Sequence, residues 1–151
     1  MTWLEHEMKK LTVKLYREPA IHVRRVAVKA ERLVYALVVP LRQKYPWGKS
    51  RIVYIGTTKR GISRVASSMA ARADLVLALY GVKTFEVRVI TCGKRQAVPT
   101  WRKLESALLF SFRRRYGKLP LLNAQPTGIR KADLFDYFSQ RRLDAVLADL
   151  E

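Results

Sequence analysis

Seven consecutive apolar residues at positions 33–39 constrain the fold of this chain more than any other feature. The run reads Leu-Val-Tyr-Ala-Leu-Val-Val, is rich in β-branched side chains and contains no charged residue. A strand with one solvated face would alternate apolar and polar residues, so this pattern predicts a strand that is buried on both faces. Such a strand needs a covering layer on each side.

A second apolar strand is predicted at residues 51–55. Between the two strands, Pro40, Pro46 and Gly48 are residues typical of loops and turns. The pair therefore predicts a β-hairpin whose connection, over residues 40–50, is long and basic.

Periodicity predicts two helices and a third strand farther along the chain. Apolar residues at helical spacing predict a helix over residues 62–80, with Gly81 as its stop. Alternating apolar and charged residues predict a strand over residues 85–89. A second helix is predicted over residues 100–116, where Gly117 lies just beyond the last turn.

The two ends of the chain give weaker patterns. A last amphipathic helix is predicted from about residue 131. Residues 11–16 alternate apolar and polar side chains and resemble a short strand, which Pro19 soon interrupts. The rest of residues 1–31 is ambiguous between helix and strand.

The predicted order is strand, strand, helix, strand, helix, helix. We therefore expect an α+β fold in which a three-stranded, mostly antiparallel sheet is flanked by helices. A chain of 151 residues suits one compact domain. Within it we expect an N-terminal extension packed on the core (residues 1–31), a core (residues 32–124) and a C-terminal helix (residues 125–151).

Positive charge is concentrated in the middle of the chain. The net charge is +18, and residues 32–132 alone hold 21 basic and three acidic side chains. Nucleic acid is the commonest partner of such a surface. No long, uncharged apolar run is present that would span or anchor in a membrane, so a membrane partner is not expected.

Cys92 is the single cysteine of the chain. It predicts neither a disulfide within the chain nor a zinc site built on a cysteine cluster. The acidic Glu5 and Glu7 do not fit a secretory signal. We therefore expect a protein of the reducing cytoplasm.

Glu105 is the only acidic residue between Glu86 and Asp133, where eleven basic residues surround it. A lone carboxylate inside a surface built for a polyanion must either lose its charge or hold a cation. A divalent metal ion fits, because hard cations take oxygen ligands and bridge to phosphates. The charge pattern therefore favours a nucleic-acid enzyme over a passive binder.

Four other residues could join Glu105 in a site. Tyr35 and Tyr54 lie on the two strands of the predicted hairpin, so both rings can reach one face of the sheet. Arg64 lies in the first turns of the next helix, off its apolar stripe, and its forked donors suit a phosphate. Asn123 follows in an irregular segment. Taken singly, each has a plainer explanation as a strand aromatic, a solvated helix residue or a turn residue.

The order of these residues resembles the GIY-YIG nuclease superfamily over residues 33–124. The resemblance rests on Val53-Tyr54-Ile55-Gly56 followed by Arg64, with Leu33-Val34-Tyr35 before them and Glu105 and Asn123 after them. It implies a small three-stranded sheet with flanking helices and the hydrolysis of phosphodiester bonds. Leu33-Val34 stands where the family has Gly-Ile, Thr57 where several members have lysine and Ser68 where many have histidine.

The resemblance also implies roles for the five residues. Tyr35 and Tyr54 would be the paired active-site tyrosines, Arg64 the phosphate-binding arginine and Glu105 the single ligand of Mg²⁺ or Mn²⁺. Asn123 would order the far edge of the site. Either tyrosine could be the general base if its pKa were lowered, and nearby cations such as Lys59, Arg60, Arg64 and the metal would act in that direction.

DNA, duplex or branched, is the expected partner of the basic surface. The phosphate contacts expected on it are Arg42, Lys44, Lys49, Lys59, Arg60, Arg72, Arg113, Arg114 and Arg115. Trp47, in the predicted hairpin loop, could stack on an exposed base or cover the edge of the core. Sequence-specific cutting would need that loop or a homodimer.

Two other functions remain open from the sequence. The absent lysine and histidine, replaced by Thr57 and Ser68, are compatible with a non-catalytic nucleic-acid-binding module on the same fold. A structural basic protein of a ribonucleoprotein is the third reading, in which RNA would compete out DNA.

Overall fold

The apolar run at residues 33–39 forms part of the central strand of a three-stranded sheet. The computed structural model describes residues 10–19, 28–124 and 134–151. Strand β1 (Leu33–Tyr45) lies between β2 (Gly48–Thr58) and β3 (Glu86–Ile90) and is antiparallel to both. The expected α+β class and the three-stranded antiparallel sheet are confirmed.

The described residues form four helices, which pack around this sheet. Helix α1 (Ile62–Leu77) connects β2 to β3, and α2 (Thr100–Tyr116) follows β3. The last two helices are α3 (Leu134–Tyr137) and α4 (Gln140–Asp149). Helix α2 has the predicted bounds, because Gly117 takes a left-handed conformation (φ 86°) that ends it.

The single C-terminal helix predicted from the sequence is divided in two. Ser139 has an extended backbone, and its hydroxyl accepts a hydrogen bond from the amide of Arg142. A serine in this position satisfies one of the free amides at the start of a helix, so a new helix begins after it. The predicted start near residue 131 lies outside the described residues.

The first seven residues of β1, Leu33 to Val39, are buried on both faces, as the sequence predicts. Its odd-numbered residues from Leu33 to Val39 pack against Val65, Met69 and Val76 of α1. The alternate residues of the same stretch pack against α2, α3 and α4. The sheet is therefore the middle layer between two hydrophobic cores.

The prediction of a long loop over residues 40–50 is wrong. Strand β1 continues to Tyr45, and only Pro46 and Trp47 connect it to β2. The surplus residues form a bulge in β1, since the register passes from Val38 opposite Ile52 to Gln43 opposite Ser50. A bulge leaves residues unpaired and so accommodates a proline within a strand.

The described parts of residues 1–31 contribute little to the sheet. Residues 10–19 are exposed and form no strand, and no other described residue covers Leu11, Val13 or Leu15. The strand suggested by their alternation is therefore absent. Val28 packs on the core beside α1, and the carbonyl of Glu31 accepts a hydrogen bond from the amide of Gly61 (2.8 Å).

The buried hydroxyl of Tyr45 ties three segments together. It donates to the carbonyl of Ile52 (2.7 Å) and accepts from the amide of Leu121 (3.1 Å). We predict that Tyr45→Phe lowers the free energy of unfolding by about 1–3 kcal/mol, because both partners lose their bond inside the core. Urea denaturation measures this change, and Tyr80→Phe is the control because Tyr80 is 92% exposed. Equal stability of the two variants would contradict the assignment.

Candidate active site

A cavity of about 420 Å³ opens where the end of β2 meets the first turns of α1 and α2. Five of its lining residues are basic and none is acidic. The residues that line it are Tyr35, Tyr54, Thr57, Thr58, Lys59, Arg60, Arg64, Ser68, Arg72, Trp101 and Arg102. Three of the five site residues predicted from the sequence, Tyr35, Tyr54 and Arg64, therefore lie in one cavity.

The two tyrosines share one face of the sheet, as their positions on paired strands predict. Their ring centroids are 5.9 Å apart, and the planes are tilted by 40°. Gly56 lies opposite Tyr35 on the neighbouring strand. A Cβ atom at Gly56 would lie 2.7 Å from Cε1 of Tyr54 and 2.9 Å from the hydroxyl oxygen of Tyr35. The absence of a side chain at Gly56 is thus what lets both rings occupy this end of the sheet.

Helix α1 presents a row of polar side chains to the cavity. Arg64, Ser68 and Arg72 follow one another at four-residue spacing and all line it. The Arg72 guanidinium lies 4.2 Å from the centroid of the Tyr54 ring, in the geometry of a cation–π contact. The sequence predicts Arg72 only as a DNA contact, although its spacing from Arg64 places it on the same helix face.

Glu105 approaches the site from α2 without lining the cavity. Its half-buried carboxylate lies beside the Thr57 side chain and the charge of Arg102, and both of these residues do line the cavity. Burial raises the pKa of Glu105, while Thr57 and Arg102 act in the opposite direction. Thr57, which stands where several members of the similar family have lysine, therefore lies next to the proposed metal ligand.

The environment of Tyr54 does not favour its deprotonation. Burial, followed by the neighbouring Tyr35, raises the pKa of Tyr54 to about 12, and Arg72 only partly offsets this. The cation Arg72 acts to lower the pKa of Tyr54, the direction predicted for nearby cations, but burial outweighs it. Its hydroxyl is protonated at neutral pH and acts as a hydrogen-bond donor.

Asn123 lies behind the cavity and not in it. Its amide nitrogen donates to the carbonyl of Ile55 (2.8 Å), and its amide oxygen accepts from the Ile55 amide (3.0 Å). The amide of Leu122 donates to the carbonyl of Val53 (2.9 Å). Asn123 thus holds the outer edge of β2 at the residue between Tyr54 and Gly56, which makes it a positioning residue.

The predicted DNA contacts fall into three groups. Lys59, Arg60 and Arg72 line the cavity. The hairpin carries Arg42, Lys44 and Lys49. The end of α2 carries Arg113, Arg114 and Arg115. In this last group, Arg114 contacts Asp144 (3.5 Å) and Arg115 contacts Glu151 (2.9 Å), so acidic groups near the C-terminus already neutralise part of that charge.

The described residues contain no group of three or more histidine, cysteine or acidic side chains that could enclose a metal ion. A metal ion at Glu105 would therefore have at most two such ligands from the described residues. In the same described part of the chain, no helix has both the length and the apolar character needed to cross a membrane.

Comparison of the chain with protein-family models, with curated proteins and with solved structures finds no match. The site must therefore be interpreted from its own geometry.

The hydrogen bonds of Asn123 give a direct test of how the site is positioned. We predict that Asn123→Ala accelerates hydrogen exchange of the Ile55 amide, because that amide loses its acceptor. Asn123→Asp keeps the acceptor and should retain most of the protection. Hydrogen exchange measured by NMR distinguishes the variants. Unchanged exchange of the Ile55 amide in Asn123→Ala would refute the positioning role of Asn123.

Proposed function

We propose that this chain is a metal-dependent DNA endonuclease of the GIY-YIG type. The observation that carries the proposal is the convergence of Tyr35, Tyr54 and Arg64 in one basic cavity, with Glu105 beside Thr57 of its wall. These residues come from β1, β2, α1 and α2, so only the folded domain brings them together.

The cavity has the charge that a phosphodiester needs. Lys59, Arg60, Arg64, Arg72 and Arg102 line it, and a nucleic-acid backbone carries one negative charge per nucleotide. Arg64 is exposed on the first turn of α1 and is free to extend its planar fork toward two phosphate oxygens. We assign phosphate binding to this residue.

Glu105 fits the role of a lone ligand for Mg²⁺ or Mn²⁺. Burial disfavours its charge, so a cation beside it would relieve that cost. Magnesium sites often use one or two carboxylates and complete their shell with water and substrate phosphates. When bound, the ion would polarise the phosphate and stabilise the leaving oxygen.

The chain's own residues supply orientation and charge stabilisation. In the proposed hydrolysis a water oxygen bonds to phosphorus while the ester bond to the leaving oxygen breaks. Arg64 stabilises the charge on the non-bridging oxygens, and protonated Tyr54 donates a hydrogen bond to one of them. Of the two tyrosines predicted as the proton acceptor, Tyr35 is the one that we retain.

Replacement of Glu105 tests the metal-dependent step. We predict that Glu105→Ala lowers cleavage of DNA in Mg²⁺ by at least about 1,000-fold, because the metal-borne charge stabilisation is lost. DNA binding in the absence of metal should be retained or strengthened, since a repulsive carboxylate is removed. Glu86→Ala is the matched control, because Glu86 is exposed on β3. A Glu105→Ala protein that still cuts in the presence of a chelator would end the metal mechanism.

Substitution of Arg64 by lysine separates charge from geometry. Arg64→Lys keeps the positive charge but loses the paired donors, so we expect the cleavage rate to fall about 100-fold while DNA affinity changes little. Arg60→Lys, at another basic residue of the cavity, should cleave almost as well as the unmodified protein. Equal rates for the two variants would refute the assignment of Arg64.

A non-catalytic nucleic-acid-binding module is the second candidate. The raised pKa of Tyr54 and the presence of Ser68 between Arg64 and Arg72 favour it, because neither side chain accepts a proton readily at neutral pH. Incubation with Mg²⁺ and Mn²⁺ on duplex, single-stranded and branched DNA distinguishes the two. Binding without a cut on any of these substrates would favour the module.

A further inference from the structure

The turn between β1 and β2 displays a tryptophan to solvent. We define the hairpin tip as residues 44–49, in which Pro46 and Trp47 form the turn. The Trp47 side chain is 69% exposed, although tryptophan is usually well buried in proteins. Its position nevertheless is fixed, because the Trp47 amide donates to the carbonyl of Tyr116 at the end of α2 (3.1 Å).

The end of α2 is shaped to support this indole. Gly117 has the left-handed φ of 86°, and a Cβ atom there would lie 3.0 Å from Cδ2 of Trp47 and 2.9 Å from Cβ of Pro46. The ring therefore rests on Gly117 and leaves much of its surface open. A rigid aromatic platform of this kind loses little conformational entropy when a flat ligand binds it.

Positive charge lies on both strands beside the platform. Lys44 and Lys49 lie directly opposite each other on the two strands, and like charges in this arrangement destabilise a hairpin. Residues 32–73, which include the whole hairpin, contain no acidic residue. A polyanion bound at the hairpin tip would neutralise the two lysines.

Basic residues continue from the hairpin tip toward the cavity. Lys49 and Arg51 are exposed and alternate with the buried Ser50 and Ile52, so they lie on the sheet face opposite α2. Tyr54 lies on that same face farther along β2. Tyr54 lies seven positions after Trp47, and the register shift from Leu37 opposite Tyr54 to Val38 opposite Ile52 leaves one extra residue in β2. The remaining six steps correspond to about 20 Å of strand.

We propose that the hairpin tip binds an unpaired DNA base, which stacks on Trp47, while the adjoining duplex follows β2 to the cavity. Paired bases inside a duplex cannot stack on a side chain, because neighbouring base pairs cover both of their faces. Lys44 and Lys49 would contact the phosphates on either side of the unpaired base. A protein partner is disfavoured, since lysine is depleted at the cores of protein interfaces.

Binding measured without metal tests this site independently of catalysis. A short labelled duplex is compared with the same duplex carrying a three-nucleotide single-stranded extension, by fluorescence anisotropy in chelator. We expect the unmodified protein to bind the extended DNA about 5- to 150-fold more tightly, the range given by one stacked base. Trp47→Ala should lose this preference, whereas Trp47→Phe should keep most of it.

Tyr80→Ala is the matched control, since Tyr80 is an exposed aromatic residue beyond the end of α1. It should leave the preference unchanged. Equal affinity of the unmodified protein for both DNAs, or a Trp47→Ala variant that keeps the preference, would overturn the proposal. A preference that Tyr80→Ala also abolishes would overturn it too.

The stacking site also predicts where the DNA is cut, and this prediction rests on the proposed endonuclease function. With Mg²⁺ present, about 20 Å at 3.4 Å per nucleotide places the cut about six nucleotides from the unpaired base. A retained binding preference without any cut would refute the endonuclease and leave the stacking site in place. A cut whose distance from the unpaired base varies at random would refute the path along β2.

Discussion

The burial of residues 33–39 of β1 on both faces is the constraint on which the rest of the structure depends. A strand with no solvated face must lie between two others and between two helical layers. Strands β2 and β3 satisfy its backbone groups, while α1 and α2 cover its side chains. The candidate site is a product of this arrangement, because it lies where the first turns of both covering helices reach the end of β2.

The alternation of side chains along each strand then determines which functional groups lie on each face of the sheet. Tyr35, Tyr54 and Gly56 point to the face of α1, where Arg64 and Arg72 meet them. Thr57 lies next to Glu105 on α2. Guanidinium groups therefore reach the cavity from both helices, and on α2 Arg102 lies beside the carboxylate. The two hydrogen bonds between Asn123 and the Ile55 backbone hold β2 in position on the other side of the cavity wall.

The sequence predicts those features that depend on local pattern. The buried strand, the bounds of α2 and the shared face of Tyr35 and Tyr54 all follow from periodicity, a C-terminal glycine and strand pairing. It does not predict the bulge that absorbs Pro40, because a proline in a loop and a proline in a bulge look alike in one dimension. The pKa of Tyr54 and the position of Asn123 depend on residues far away in the chain, so no local pattern encodes them.

The hydrogen bonds of Leu122 and Asn123 have a consequence for the solubility of the folded sheet. Strand β2 is eleven residues long, and a bare edge of that length is a template for pairing with another chain. Two residues of a returning segment occupy its backbone groups at Val53 and Ile55. The opposite edge, β3, has only five residues and carries the charged Glu86 and Arg88. Short length and charge on one side, with a covering segment on the other, oppose edge-to-edge aggregation.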